Sequence, residues 1–271
     1  ATLQLAERSA PSTAPLRPRP DQVERWLIHD QPLAFGDAAE LVRQAHAGDG
    51  HRNDLVATDL RTWAFGSPDD TTMALVSLPL PGRGVRAAFP LREHAFAQLC
   101  TRIAAPAPYL RTLPAKLQIV NMGWGLTRTK QNALLRLAGD DIRAVVSEKY
   151  VPLDDNYVLD VVDDVLRRSG YHADAVVRAV ATGKTTVLRI TVPSESVAVK
   201  RDDVIEWGID VANSELGLRS VQITPITYRL VCTNGMRAWR SEAAIRMRHI
   251  GDPGRLHEAL RDAVPVAFAE A

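Results

Sequence analysis

The chain has 271 residues, with 33 Lys and Arg against 32 Asp and Glu and only two cysteines. That length suits one large domain or two smaller ones, and the near-even charge excludes a global positive field, leaving any nucleic-acid contact to a local patch. Cys100 and Cys232 lack the paired spacing of a zinc site or a disulfide framework. No run approaches the roughly 20 apolar residues of a membrane span, and the first residues lack a signal peptide's basic start and apolar middle, so a cytoplasmic protein without membrane contact is expected.

Residues 1–20 place Pro11, Pro15, Pro18 and Pro20 among Ser, Thr, Ala and Arg, which predicts a disordered tail. A helix is predicted from Asp37 to Ala47, with Leu41, Val42 and Ala45 at helical spacing. Strands are expected between Leu55 and Arg92, with Pro81-Gly82-Arg83-Gly84 as the clearest turn. From Glu93 to Met122 the period becomes helical: Ala95, Phe96, Leu99 and Ile103 form one apolar stripe, and Tyr109, Leu110, Leu113, Leu117 and Val120 another.

Strands return at Ala133 to Leu137 and Ile142 to Val151, joined by Gly139-Asp140-Asp141 as a hairpin. The next segment is the strongest helix, with Val158, Leu159, Val162, Val165 and Leu166 on one face, Asp154 or Asp155 as its cap, and Gly170 just past its end. Ala173 to Ala181 and Thr185 to Val192 alternate about a Gly183-Lys184 turn, which sets Ala175, Val177 and Ala179 opposite Val192, Ile190 and Leu188 on the core face. Ile205, Trp207, Ile209 and Val211 mark another strand. A last long strand contains Pro225, which predicts an edge or a bulge, before an Asn234-Gly235 turn and a short helix from Leu256 to Val264.

The order is mixed, so the expected class is α+β: a mixed, largely antiparallel sheet of hairpins packed by helices, with a helical segment in the first half. The expected organisation is the tail 1–20, an N-terminal strand and helix region 21–132, and a C-terminal hairpin and helix region 133–271 that could form one domain with it.

Gly183-Lys184-Thr185 copies the end of a phosphate-binding loop, but Arg178 stands where the loop needs its first glycine and a strand follows instead of a helix. Gly123-Trp124-Gly125 and Gly82-Arg83-Gly84 read as loop glycines. The acid pairs, among them Asp154-Asp155 and Asp202-Asp203, read as turns and helix starts, although a metal-dependent enzyme could use Asp154, Asp155 or Asp202. The histidines have no ligand spacing, so neither a metal nor a cofactor is expected.

Basic residues remain. Arg178 and Arg189 fall opposite each other on the non-core face of the Gly183-Lys184 hairpin, a destabilising arrangement unless a phosphate backbone or the neighbouring Glu206 and Asp210 compensate it. Arg143 and Lys149 share one side of an earlier strand and extend this patch. A second cluster holds Arg237, Arg240, Arg246, Arg248 and His249 with Trp239 interleaved, a pattern suited to backbone charge and base stacking.

Asn213-Ser214-Glu215-Leu216-Gly217 and the run Tyr228 to Met236 resemble the phage/plasmid-like proteins, a family of uncharacterised bacterial, prophage and plasmid genes. Phe96 to Cys100, Pro108-Tyr109-Leu110, Arg143 to Ser147 with Tyr150, and Arg246 to His249 extend the likeness from about Glu93 to Ala263. The resemblance implies a mobile-element context but no reaction and no catalytic residues, and its hairpin-plus-helix units are similar to those of single-strand annealing proteins. The expectation is therefore a non-catalytic protein, a homo-oligomer that binds single-stranded DNA for annealing in recombination, with a metal-dependent nucleic-acid enzyme or a protein-interaction component of a defence system as alternatives.

Overall fold

The computed structural model describes residues 31–271 except 58, 61–63, 68, 70, 72, 77–87, 130–131, 201–202, 231–236 and 242–243; the side chains of 53, 55–57, 75–76, 195, 197–200, 203–204, 228–230 and 237–241 are not described. The expected tail, the Pro81 to Gly84 turn, the Asn234-Gly235 turn and Asp202 lie outside the described residues.

The architecture is α+β, built on an antiparallel sheet of eight strands. The hairpin β8 (Val176–Thr182) and β9 (Thr185–Thr191) has the expected register, with Val177 opposite Ile190, Ala179 opposite Leu188 and Arg178 opposite Arg189. β11 (Asp203–Asn213) pairs with β9 along one half of its edge and with β10 (Val197–Lys200) along the other. β12 (Val221–Leu230) follows on the far side of β11 and is itself shared between β13 (Arg237–Ser241) and β14 (Ile245–Met247). β1 (Leu33–Ala34) pairs with β8 at the opposite edge.

Pro225 therefore lies in an interior strand, with neither an edge position nor a register shift against β11. It falls between the residues of β12 paired with β14 and those paired with β13, where the ladder is already interrupted and a missing N–H donor costs least.

The helices in chain order are α1 (Phe35–Ala45), α2 (Glu93–Arg102), α3 (Ala107–Arg111), α4 (Ala115–Thr127), α5 (Asp155–Arg168) and the terminal α6 (Pro253–Glu270). Of these, α1, α5 and α6 cover the apolar face of the large sheet. α5 ends as expected, with Gly170 at φ 76° and the Tyr171 N–H donating to the Leu166 carbonyl at 2.9 Å. α6 runs longer than the apolar pattern suggested. Asp252 caps it by accepting from the Arg255 N–H at 2.9 Å, and burial of Val264 and Ala267 carries the helix past Pro265.

A second sheet joins β2 (Arg52–Ala57), β6 (Ala133–Ala138) and β7 (Asp141–Ser147). A third is small: β3 (Ala64–Gly66), β4 (Ala74–Val76) and β5 (Ala88–Pro90). One face of β6 and β7 packs with Phe96, Leu99, Leu110, Met122 and Leu126 from α2 to α4 in a second core. The pairings of β1 with β8 and of β2 with β6 both cross the boundary expected near residue 132.

The second apolar stripe is not buried as one unit. Pro106 and Pro114 start α3 and α4 separately and break the helical phase; α4 buries Ala115, Met122 and Leu126, while Tyr109, Leu117 and Val120 face solvent. Gly123-Trp124-Gly125 lies inside α4 and not in a loop.

Two mid-element glycines have opposite consequences. A Cβ at Gly208 in β11 would overlap the Ile190 carbonyl, whereas one at Gly123 in α4 meets nothing. Gly208→Ala should lose about 1–3 kcal/mol through forced backbone shifts, and Gly123→Ala should gain up to about 1 kcal/mol of helix propensity. Urea unfolding of the two variants measures both; equal midpoints would contradict the assignment.

Candidate nucleic-acid interface

Where the two large sheets meet, a buried ionic cluster forms around Glu215, which is 2% exposed. The residue follows β11, in a turn closed by Gly217 at φ 76°. Arg52 Nη1 donates to its two oxygens at 3.0 and 2.8 Å, Arg143 Nη1 donates at 2.5 Å, and the backbone N–H of Asp155 donates at 2.8 Å. Glu215 thus caps α5 from 60 residues away. Asp154 occupies the N-cap position without a side-chain cap bond; its carboxylate instead accepts from Arg136 Nη2 at 2.6 Å.

Arg136 also donates to Asp54 at 2.9 Å and to the Glu215 carbonyl at 2.7 Å. Asp155 accepts from Thr186 at 2.6 Å and from Asn213 at 2.7 Å. His46, just past α1, lies between Asp49 on Nδ1 at 3.3 Å and Asp155 on Nε2 at 3.1 Å. Asp49 in turn accepts from Arg92 at 2.5 Å.

The local shape of β7 makes this possible. Between Arg136 and Leu137 the pairing slips by one residue, so Arg136 faces Ala144, Leu137 faces Ile142, and Arg143 is the extra residue. A bulge re-aims a side chain that strict alternation would have sent into the core behind.

Protonation follows the contacts. The hydrogen bond to Asp155 raises the His46 pKa above 6.5, ahead of the opposing effect of burial, with Glu215 and Asp155 charge adding to the rise and Arg52 opposing it. Burial and the Asp155 charge push Glu215 upward, but Arg143, His46 and the Asp155 N–H bring it below its ordinary value. His46, Arg52, Arg92, Arg136 and Arg143 thereby oppose Asp49, Asp54, Asp154, Asp155 and Glu215, a balanced set.

Donor atoms of His46, Asp155 and Glu215 lie within 4.8 Å of one another, a spacing that would admit a metal ion. Both carboxylates, however, already accept N–H or O–H donors on each oxygen, so a cation there would have to displace two guanidiniums. The donor set fits a structural clamp better. Cys100 offers no nucleophile, because burial pushes its thiol up to about 11.

The expected binding residues divide sharply. Arg143 is buried on Glu215, and the guanidinium of Arg189 forks onto Asp210 at 2.7 and 2.6 Å with the residue 6% exposed; Arg178 opposite it is half-buried. The acid on the neighbouring strand compensates Arg189. His249 is 4% exposed, donates to the Val151 carbonyl at 3.1 Å and stacks on Tyr150 at 4.8 Å, so it is an internal strut, with burial pushing its pKa down. Arg143, Arg189 and His249 are therefore corrected from surface contacts to interior ones. Arg237, Trp239 and Arg240 belong to β13, with side chains outside the described residues.

Lys149, Arg246 and Arg248 are exposed. The bridge between Tyr150 and Ile250 brings the turn carrying Lys149 beside the segment carrying Arg248.

Sequence reasoning missed a further surface. From His94 through Gly139 the chain has no Asp or Glu, and Arg111 of α3, Lys116 of α4 and Arg128 just past α4 are exposed. Arg111 lies 3.8 Å from Glu93, while Lys116 and Arg128 form no ion pair among the described residues. The missing acids were the available signal.

Glu215→Gln should cost about 3–5 kcal/mol, because it leaves buried Arg143 and half-buried Arg52 without the counter-charge they share. The raised pKa of His46 means that its stabilisation is complete below pH 6.5 and is lost as pH rises through the folded value. The lowered pKa of Glu215 means the reverse: its stabilisation is present above pH 4.5 and is lost on acidification. Denaturant unfolding across pH 5 to 9 should therefore show falling stability on the alkaline side in the parent and a flatter limb in His46→Gln; identical limbs would remove His46 from the account.

Residues 143–265 match the model of a domain of unknown function (DUF932). The match runs from Arg143 through β8 to β14 and into α6, and so includes Asp155, Thr186 and Glu215 but not their partners His46, Arg52 and Arg136. No curated protein and no solved structure matches the chain.

Proposed function

We propose that the protein binds nucleic acid through backbone phosphates, using the exposed cations of the α3 and α4 layer. The observation that carries this reading is the segregation of charge: 46 consecutive residues without an acid, presenting Lys116 and Arg128 to solvent on a chain whose total charge is only +1. Lys149, Arg246 and Arg248 form a second exposed group that can add phosphate contacts. The arginines of the interior are neutralised by Asp and Glu and contribute little to such a field.

Recombination and annealing are the roles implied by the resemblance, and they belong to this proposal as its biological setting. The metal-dependent enzyme has less support, since Asp154 and Asp155 are both engaged by internal donors. An interaction component of a defence system would draw on the same exposed layer with a protein in place of the phosphates.

Binding should fall steeply with salt. Lys116→Gln with Arg128→Gln should reduce the slope of log affinity against log salt by about 0.7–0.9 for each phosphate that is no longer neutralised. The pair Lys149→Gln with Arg248→Gln locates the second group in the same titration. A slope unchanged in both pairs, with unchanged affinity, rejects the assignment.

A further inference from the structure

α4 is apolar on two faces, and only one is used in the core. Leu117, Val120 and Trp124 are 50, 65 and 67% exposed, and Tyr109 of α3 is 58% exposed. At about 100° per residue, the three α4 side chains fall within an arc of about 60°, and Arg128 lies one turn beyond Trp124 on the same side. Large exposed aromatic and aliphatic groups gathered on one face mark a contact surface.

The surrounding charge selects the partner. Lys116 and Arg128 flank the apolar residues, and the acid-free segment supplies no counter-charge. A second copy packed symmetrically on this face would set these cations against their own equivalents. An anionic bilayer would meet a short helix whose opposite face is fixed by Ala115, Met122 and Leu126, which prevents it from rolling into the interface. A strand of unpaired nucleotides offers both things the face asks for, flat π surfaces and regularly spaced negative charge.

Gly125 has a packing reason, because a side chain there would run into Ile103. Gly123 has none, since a Cβ there meets nothing.

We propose that Trp124 is a stacking platform for unpaired bases of single-stranded nucleic acid, with Lys116 and Arg128 on the adjoining phosphates and Tyr109 of the preceding helix as a second exposed ring. The inference rests on the nucleic-acid reading above and adds strandedness to it.

The test uses the full chain with a fluorescein-labelled oligothymidylate of roughly 20 nucleotides, longer than the about 4–16 that such a site spans, and a duplex of the same length. Trp124→Ala should weaken single-strand binding by roughly 5- to 100-fold and leave duplex binding unchanged, with Trp124→Phe retaining most of the affinity. Because Trp124 is exposed, the unfolding midpoint should not move, and a variant that did lose stability would be replaced by Tyr109→Ala, read in the same way. Single-strand affinity unchanged in both variants overturns the platform while the salt-dependent binding stands. No binding of either probe by the parent chain at low salt overturns the platform and the function together. Phosphatidylserine vesicles and mass measurement of the free protein cover the other occupants: loss of vesicle binding or of self-association in Trp124→Ala, with DNA binding intact, likewise overturns it.

Discussion

The carboxylate of Glu215 is the point on which the two halves of this structure depend. It is reached by a guanidinium from β2, another from β7 and the first N–H of α5, while its own carbonyl receives Arg136 of β6. A single buried anion in this position would be costly, and what makes it favourable is the number and geometry of its donors. Several local features follow from serving it: the bulge at Arg143, the left-handed Gly217 that closes the turn, and a helix N-terminus satisfied by a distant loop in place of its own Asp154. Side chains beyond the first contacts are also constrained. Gln98 bridges β7 to this turn, accepting from Val145 N–H at 2.7 Å and donating to the Leu216 carbonyl at 2.9 Å.

Much of the fold was legible because it is written locally. The β8 and β9 hairpin follows from alternation and a two-residue turn, and α5 from its apolar stripe and Gly170. The cluster was not legible, because Arg52 and Glu215 are 163 residues apart and no short spacing announces them. Arg143 illustrates the difficulty: its charge suggested a surface residue, and a one-residue slip in pairing, invisible in the sequence, turns it onto the buried Glu215. The helical segment failed in the other direction. Helical spacing grouped Tyr109, Leu110, Leu113, Leu117 and Val120 as one stripe, but Pro106 and Pro114 start helices of different phase, and Leu117 and Val120 face solvent.

The same contrast bears on function. Counting arginines along the sequence treats all of them as available, yet Arg136, Arg143 and Arg189 are engaged by carboxylates within the protein. Near-neutral composition conceals how the charges are distributed: cations and anions cancel inside, while the α3 and α4 layer retains positive charge, with no acid among the described residues paired to Lys116 or Arg128. The blocks that carry the resemblance, including Arg143, Tyr150, Asn213 to Gly217 and His249, gather at the clamp.

The division of β12 between two short neighbours has a consequence for assembly. Along that margin of the large sheet, β13 contributes five residues and β14 three, with Pro225 opposite the break; at the other margin β1 contributes two. An incoming strand needs a long unbroken row of unpaired amides to dock upon, and among the described residues the divided margin beside β12 does not provide one. Growth by strand addition is therefore discouraged along the β12 margin.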